Sequence, residues 1–211
     1  MTPRCVPGEI PGRVMGLREK RKAATRSAIR EAAMSLFEAQ GYAHTTVEQI
    51  AQAAEISHTT FFRYFSSKEQ VVMSDDLDDE RDAALLAIAP GLGHFDLLRE
   101  TVRVTAHLAM NDPWVNDGRR MRLILSEPSL RTAFQIECDA GIVEVTDFFA
   151  DYLDIPRDDE HLRVFVAAAG GVMFHIVEQV EGIIGPQALD RVLAAIDLLE
   201  RGLPLGDGGS R

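Results

Sequence analysis

Two helix-start signals, Thr45 followed three residues on by Glu48 and Ser66 followed three on by Glu69, bracket a segment that has little freedom in its local fold. Between them Val47, Ile50, Ala51 and Ala54 recur at i, i+3, i+4 and i+7, which lays one apolar stripe along a helix of about two and a half turns. Ser57 is an N-cap for a second short helix, which Phe61 and Phe65, four apart, anchor from behind. Its outward residues His58, Thr59, Thr60 and Tyr64 are small or hydrogen-bonding rather than apolar. Such side chains suit base edges, thymine methyl groups and phosphate oxygens. The spacing therefore predicts a helix-turn-helix whose second helix reads DNA.

Upstream, Leu17 to Gln40 carries Ala28, Ile29, Ala32, Ala33, Leu36 and Phe37 in pairs at helical spacing and ends at Gly41, a C-cap. The first turns hold Arg18, Lys20, Arg21, Lys22, Arg26 and Arg30, a cationic end that fits phosphates, although such runs are more often a solvated face. The net charge of −11 at first opposes DNA binding, but its distribution removes the conflict. Residues 1–70 hold ten Lys or Arg against seven Asp or Glu, and residues 71–211 hold twelve against twenty-six. A basic head and an acidic body do different jobs, and phosphate repels the second.

From about Ala28 to Val71 the chain resembles the DNA-binding domain of the tetracycline-repressor (TetR) family of transcriptional regulators. The likeness rests on Phe61-Phe62-Arg63-Tyr64-Phe65-Ser66-Ser67-Lys68-Glu69 together with Thr46-Val47 and Ile50-Ala51. It implies that Thr46 and Lys68 grip phosphates from helix N-termini, that Ser57, His58 and Thr59 approach bases, and that Tyr64 touches backbone. With Thr45 and Thr60 these form the expected DNA-binding set. Two positions depart from the family pattern. Glu55 stands where Gly is usual in the turn, so a left-handed conformation there costs on the order of 1 kcal/mol and a looser turn is expected. Phe62 stands where Tyr is common and has no hydroxyl to offer.

The remainder reads as helical throughout, which makes the fold class all-α. One helix is expected from Lys68 across the acidic run Asp75–Asp82 to Pro90, linking two parts of the chain. That run is not a calcium loop, because Leu77 occupies a ligand position and Glu80 replaces the required Gly. After Pro90-Gly91-Leu92-Gly93 comes a helix with Phe95, Leu98, Val102, Ala106 and Ala109 on one face, ending near Asn111. Asp112-Pro113 is expected to start the next, and Pro128 a long helix reaching Ile155-Pro156. Val164 to Val177 is apolar on every side except at His175 and must be covered all round. With the stripe Leu189, Val192, Leu193, Ile196 and Leu199 it suggests a homodimer through the last two long helices, as in the resembled family. A two-fold dimer reads a palindromic operator.

Regulators of that build resemble one another in carrying a small-molecule effector pocket among the C-terminal helices. Candidates to line it are Trp114, Met121, Phe134, Phe148, Phe174 and His175, each of which also fits plain core. The run from Arg119 to Leu130 resembles a subgroup whose C-terminal domain binds acyl-CoA-like ligands. On that resemblance Arg119, Arg120 or Arg122 pairs with an anionic ligand group at the pocket mouth, while solvent or nearby carboxylates satisfy at least two of the three. An enzyme is disfavoured: there is no His-Glu-x-x-His, the single Glu-x-x-His falls at Glu55 to His58 inside the turn, and no phosphate-cradling Gly loop is present. Cys5 and Cys138 make neither a disulfide framework nor a zinc site, so no cofactor or metal is expected. With no bilayer-length apolar run and no secretory signal, the expectation is a cytoplasmic protein without a membrane partner. The expected division is a disordered extension at 1–16, a DNA-binding domain at 17–66, a ligand-binding and dimerisation domain at 67–205, and a tail at 206–211. A helical interaction module without an effector is the competing reading.

Overall fold

The structure, a computed structural model, describes residues 16–179 and 185–203. The expected extension and tail fall outside the described residues, apart from Gly16. All regular structure among the described residues is helical: α1 (Leu17–Gln40), α2 (Val47–Ala53), α3 (His58–Tyr64), α4 (Lys68–Met73), α5 (Asp78–Leu86), α6 (His94–Asn111), α7 (Gly118–Ser126), α8 (Pro128–Leu153), α9 (Glu160–Gln179) and α10 (Pro186–Glu200). No described helix is long and apolar enough to cross a membrane. The chain divides into two compact units, one ending at Val71 and one beginning at Val72, so the division falls within α4.

In the first unit Ile29, Ala33, Met34 and Phe37 of α1 close over Ile50 and Ala51 of α2 and over Phe61 and Phe65, all at most 4% exposed. Burying each large side chain contributes roughly 1.5–3 kcal/mol. The cationic end of α1 is not uniform. Its first turns are exposed, but Arg30 is buried, and the guanidinium groups of Arg26 and Arg30 lie 5.8 and 5.6 Å from the centre of the Phe65 ring. The α2–α3 turn is tight rather than loose. Glu55 takes φ 55°, Ile56 N–H bonds to Ala51 O at 2.9 Å and Glu55 N–H to Gln52 O at 3.1 Å, the paired bonds of a Schellman ending.

Both helix starts are capped one residue later than their carboxylates suggest, with a reciprocal box at α2 only. Thr46, not Thr45, caps α2: its Oγ1 accepts from Gln49 N–H at 3.3 Å while Gln49 Oε1 accepts from Thr46 N–H at 2.9 Å. Thr45 is turned inward, its hydroxyl donating to Gly41 O at 2.8 Å. At α4 it is Ser67 that accepts from Gln70 N–H, at 3.2 Å, while Gln70 Oε1 accepts from Ser66 N–H at 2.7 Å. Glutamine closes a capping box as well as glutamate does, so adjacent hydroxyls leave two registers open and tertiary packing selects one.

The single helix expected from Lys68 to Pro90 is broken. Chain leaves α4 at Met73 and re-enters helix at Asp78, because Asp75 Oδ1 accepts from Leu77 N–H at 3.0 Å and Arg81 bridges Asp75 and Asp78 at 3.1 and 2.8 Å. Short carboxylates offer the backbone a turn in place of a helix. Asp112 likewise starts a turn, accepting from the N–H groups of Trp114 and Val115, and Asp117 is the cap of α7. In the second unit α6 packs on α5 and α10, α8 on α7 and α9, and α9 on α10. Leu97, Leu98, Val102, Phe149, Ala150, Leu162, Val166, Ala169, Ile176, Val192 and Ile196 form its core. Gly170 permits the α8–α9 approach, since a Cβ there would meet Ile142 at 3.1 Å, whereas Gly171 faces open space.

Candidate nucleic-acid interface

Helix α3 is built as a presented surface. Ser57 Oγ accepts from Thr60 N–H at 3.1 Å and lies 2.8 Å from the Thr60 hydroxyl, which fixes the first turn and gathers two hydroxyls at one end. Phe61 and Phe65 hold the back of the helix in the core with ring centroids 6.0 Å apart, while Ser57, His58 and Thr59 are exposed and Thr60 and Tyr64 half-buried. His58 Nε2 lies 3.4 Å from Glu48 Oε1, and its ring meets the edge of exposed Phe62 at 4.7 Å. The Glu48 carboxyl is held below its usual range by its own backbone N–H first and the Thr46 hydroxyl next. Arg63 stacks over Tyr64 at 5.4 Å.

The phosphate-gripping candidates divide. Thr46 is exposed at the N-terminus of α2, whose first N–H groups carry partial positive charge. Thr45, 2% exposed, is part of the interior. Lys68 does structural work: its Nζ donates to Tyr42 O at 2.9 Å and Thr45 O at 3.0 Å and lies 4.3 Å from the Tyr42 ring centroid. An ammonium has three donors, and these two bonds leave one. The Tyr42 hydroxyl completes the arrangement by donating to Glu69 at 2.8 Å. Burial raises the Glu69 carboxyl, but its own N–H, the Tyr42 hydroxyl and Ser67 outweigh this and bring it below its ordinary value. Sequence reasoning missed Tyr42 and gave Glu69 only a helix-start role, the two being 27 residues apart; an aromatic just after a Gly C-cap was the available signal.

The ligand candidates do not converge on one enclosure. Phe134 and Phe174 face each other at 6.0 Å, and Phe148 packs on Phe149 and Tyr152. Met121 is buried, Arg122 is exposed, and His175 is exposed beside Gln179 at 2.7 Å. The Trp114 indole N–H donates to Ser74 O at 2.9 Å. Arg119 is paired with Asp117 at 2.8 Å. Burial raises the Asp117 carboxyl, but the hydrogen bond from Arg119 and its charge bring it down overall. Arg120 is buried and turned to backbone carbonyls. An open groove of about 810 Å³ between α8 and α9, edged by Val143, Thr146, Arg157, Arg163, Val164 and Ala167, contains none of the candidates.

A family model described as bacterial regulatory proteins of the tetR family matches residues 29–73, and one described as the MftR C-terminal domain matches residues 92–204, more than half of the chain. The chain belongs to the TetR family. This TetR-family chain is 47% identical over 76 residues to the HTH-type transcriptional regulator TcmR of Streptomyces glaucescens, 36% of this chain and 34% of TcmR. It is 32% identical over 130 residues to MftR of Mycobacterium tuberculosis, a proposed mycofactocin biosynthesis regulator, 60% of this chain and 64% of MftR. The matched stretches thus span about a third of TcmR and less than two thirds of MftR. Among solved structures, Thermus thermophilus FadR, a TetR-family repressor in complex with lauroyl-CoA, aligns with TM-score 0.51 and 23% identity over 88% of this chain and 98% of that one, a likeness of fold.

Proposed function

We propose that this TetR-family chain is a sequence-specific DNA-binding transcriptional regulator: a homodimeric repressor that sits on a palindromic operator and is released by a small hydrophobic or acyl-type ligand held among its C-terminal helices. The observation that carries the reading is the exposed, uncharged polar face of α3. Ser57, His58 and Thr59 stand at the N-terminal end of a helix fixed from behind by Phe61 and Phe65, an arrangement suited to base edges in the major groove. Thr46 and the remaining donor of Lys68 then meet phosphates, and Tyr64 the flanking backbone.

Dimerisation is supported by the open face of α9, where Val164, Ala167, Ala168 and Gly171 are all exposed at spacings of three and four. The acyl-type effector is supported by the apolar helices of the C-terminal unit and by the lauroyl-CoA complex of the FadR relative in fold. Ligand binding there changes the separation of two reading heads, which must enter successive major grooves about 34 Å apart.

Selection of randomised duplex DNA with the purified chain tests the reading. An enriched palindrome, released when lauroyl-CoA is added, is the expected result. Recovery of unenriched sequence overturns it, and enrichment that lauroyl-CoA leaves intact removes the acyl-type effector only.

A further inference from the structure

The end of α4 is gripped in an unusual way. A helix leaves its last carbonyls without intrahelical partners, and three consecutive carbonyls at this end are taken by side chains 40 to 48 residues away. Arg120 Nε donates to Val72 O at 2.6 Å and its Nη2 to Met73 O at 2.9 Å. Trp114 Nε1 donates to Ser74 O at 2.9 Å, and the guanidinium lies over the Trp114 ring at 5.6 Å. All five residues belong to the C-terminal unit. Arg120 is only 6% exposed, and a buried cation is tolerated only where partners replace water. A helix C-terminus is such a place, because its carbonyls carry partial negative charge. Both gripping residues are themselves held. Asp112 Oδ1 accepts from Trp114 N–H at 2.9 Å, and Arg120 lies in the first turn of α7 behind the Asp117 cap.

We propose that Arg120 and Trp114 are the positioning residues through which the C-terminal unit sets operator affinity, by fixing the direction in which α4 leaves that unit. The inference rests on the DNA-binding reading above. Arg120 touches no DNA; it acts through α4. The planar fork engages two neighbouring carbonyls at once, so a change in the α7 turn tilts or releases the helix end instead of stretching one bond. A lysine at 120 keeps the charge and loses the fork. The clamp also includes the chain's single tryptophan, so its state has a native optical signal.

The test uses the full-length chain and the selected operator duplex, with binding followed by anisotropy of labelled DNA and Trp114 emission recorded in the same titration. In the wild type, Trp114 emission is expected to change and to saturate with operator binding, while a scrambled duplex of equal length leaves it unchanged. Arg120→Gln is expected to weaken operator binding about tenfold, within the usual range of coupling between sites. The preferred sequence and the salt dependence stay as in the wild type, because no DNA contact is lost. Arg120→Lys gives an intermediate loss. Trp114→Phe, read by anisotropy alone, weakens binding without unfolding and serves where Arg120→Gln does not fold. Operator binding that saturates with silent Trp114 emission, or wild-type affinity in both Arg120→Lys and Trp114→Phe, overturns the clamp and leaves the DNA reading standing. No saturable binding of any duplex by the wild type overturns both.

Discussion

Helices α3 and α9 each present a face that their own chain leaves uncovered, and the two faces have opposite chemistry. On α3 the exposed side chains are Ser57, His58 and Thr59 at its start, then Phe62 and Arg63, while Phe61 and Phe65 are at most 1% exposed. On α9 the exposed side chains include the apolar group Val164, Ala167 and Ala168, with Val164 at 62%, next to exposed Arg163. A polar face can stay in water indefinitely and still gain from base edges; an apolar face at helical spacing gains most from another apolar surface. The difference supports the proposed partners, nucleic acid for α3 and a second copy of the chain for α9.

The sharpest way to separate the two faces is to remove the support of one. Phe61→Ala empties the centre of the first unit's core, where Phe61 is 0% exposed, and is expected to cost about 3–5 kcal/mol. Thermal melting should show the first unit's transition fall, with operator binding lost and sedimentation still reporting a dimer. Dissociation of the dimer in that variant would mean that the first unit takes part in self-association, and the comparison would fail.

The converse change is Ala167→Glu on the open face of α9. A carboxylate placed in the proposed interface would be left without water, so sedimentation should show a monomer at micromolar concentration. Operator affinity is expected to fall about a hundredfold as two linked half-site contacts become one. A dimer of unchanged affinity would place the interface elsewhere, away from the α8–α9 groove that Ala167 itself edges.

Within the head, His58→Ala and Lys68→Ala separate reading from support. His58→Ala should alter the preferred bases, with changes on the order of tenfold at one operator position. Lys68→Ala should weaken all duplexes by a similar factor. It removes the donor that holds Tyr42 O and Thr45 O, so the loop presenting Thr46 loosens along with any phosphate contact. Selection profiles for the two variants check this, and a uniform loss in His58→Ala would sink its assignment as a base reader.

What could be read in the sequence and what could not follows the range of the forces involved. The ends of α1, the Ser57 cap, the start of α6 after Pro90-Gly91-Leu92-Gly93 and the Pro128 start of α8 are all marked by residues within a turn of the event. The register of the capping boxes was not so marked, because Thr45 and Thr46 are chemically alike and only the demand of the Gly41 carbonyl draws Thr45 inside. The break between α4 and α5 depends on Asp75 and Arg81, six apart, acting against helical propensity. The resemblance of the Arg119–Leu130 run sets Arg120 beside Arg119 and Arg122 as alternative ligand contacts. Its real partners, Val72 and Met73, lie 48 and 47 residues back, beyond the reach of any local pattern. The polar surface of α3 was readable for the same reason that the ligand candidates were not. A short capped helix declares its faces, whereas aromatics such as Phe134 and Phe148 fit a core and a pocket lining equally well.

The smallest expected effect concerns the turn that aims α3. Glu55 holds φ 55° so that Ile56 N–H can reach Ala51 O, a conformation that costs a residue with a Cβ roughly 1 kcal/mol and glycine almost nothing. Asp154 ends α8 in the same left-handed conformation with Ile155 N–H on Ala150 O, so among the described residues non-glycine residues serve at two helix ends of this kind. Glu55→Gly should therefore stabilise the head by somewhat less than 1 kcal/mol, since glycine also gains freedom in the unfolded chain. The aim of α3 is set by the bond geometry of the turn and not by the Glu55 side chain, so the selected operator should be unchanged. A rise in the first unit's melting midpoint with the same enriched sequence is the expected pair of results. A stable variant with an altered sequence preference would show that the Glu55 carboxylate, exposed in the turn, contributes to reading the duplex.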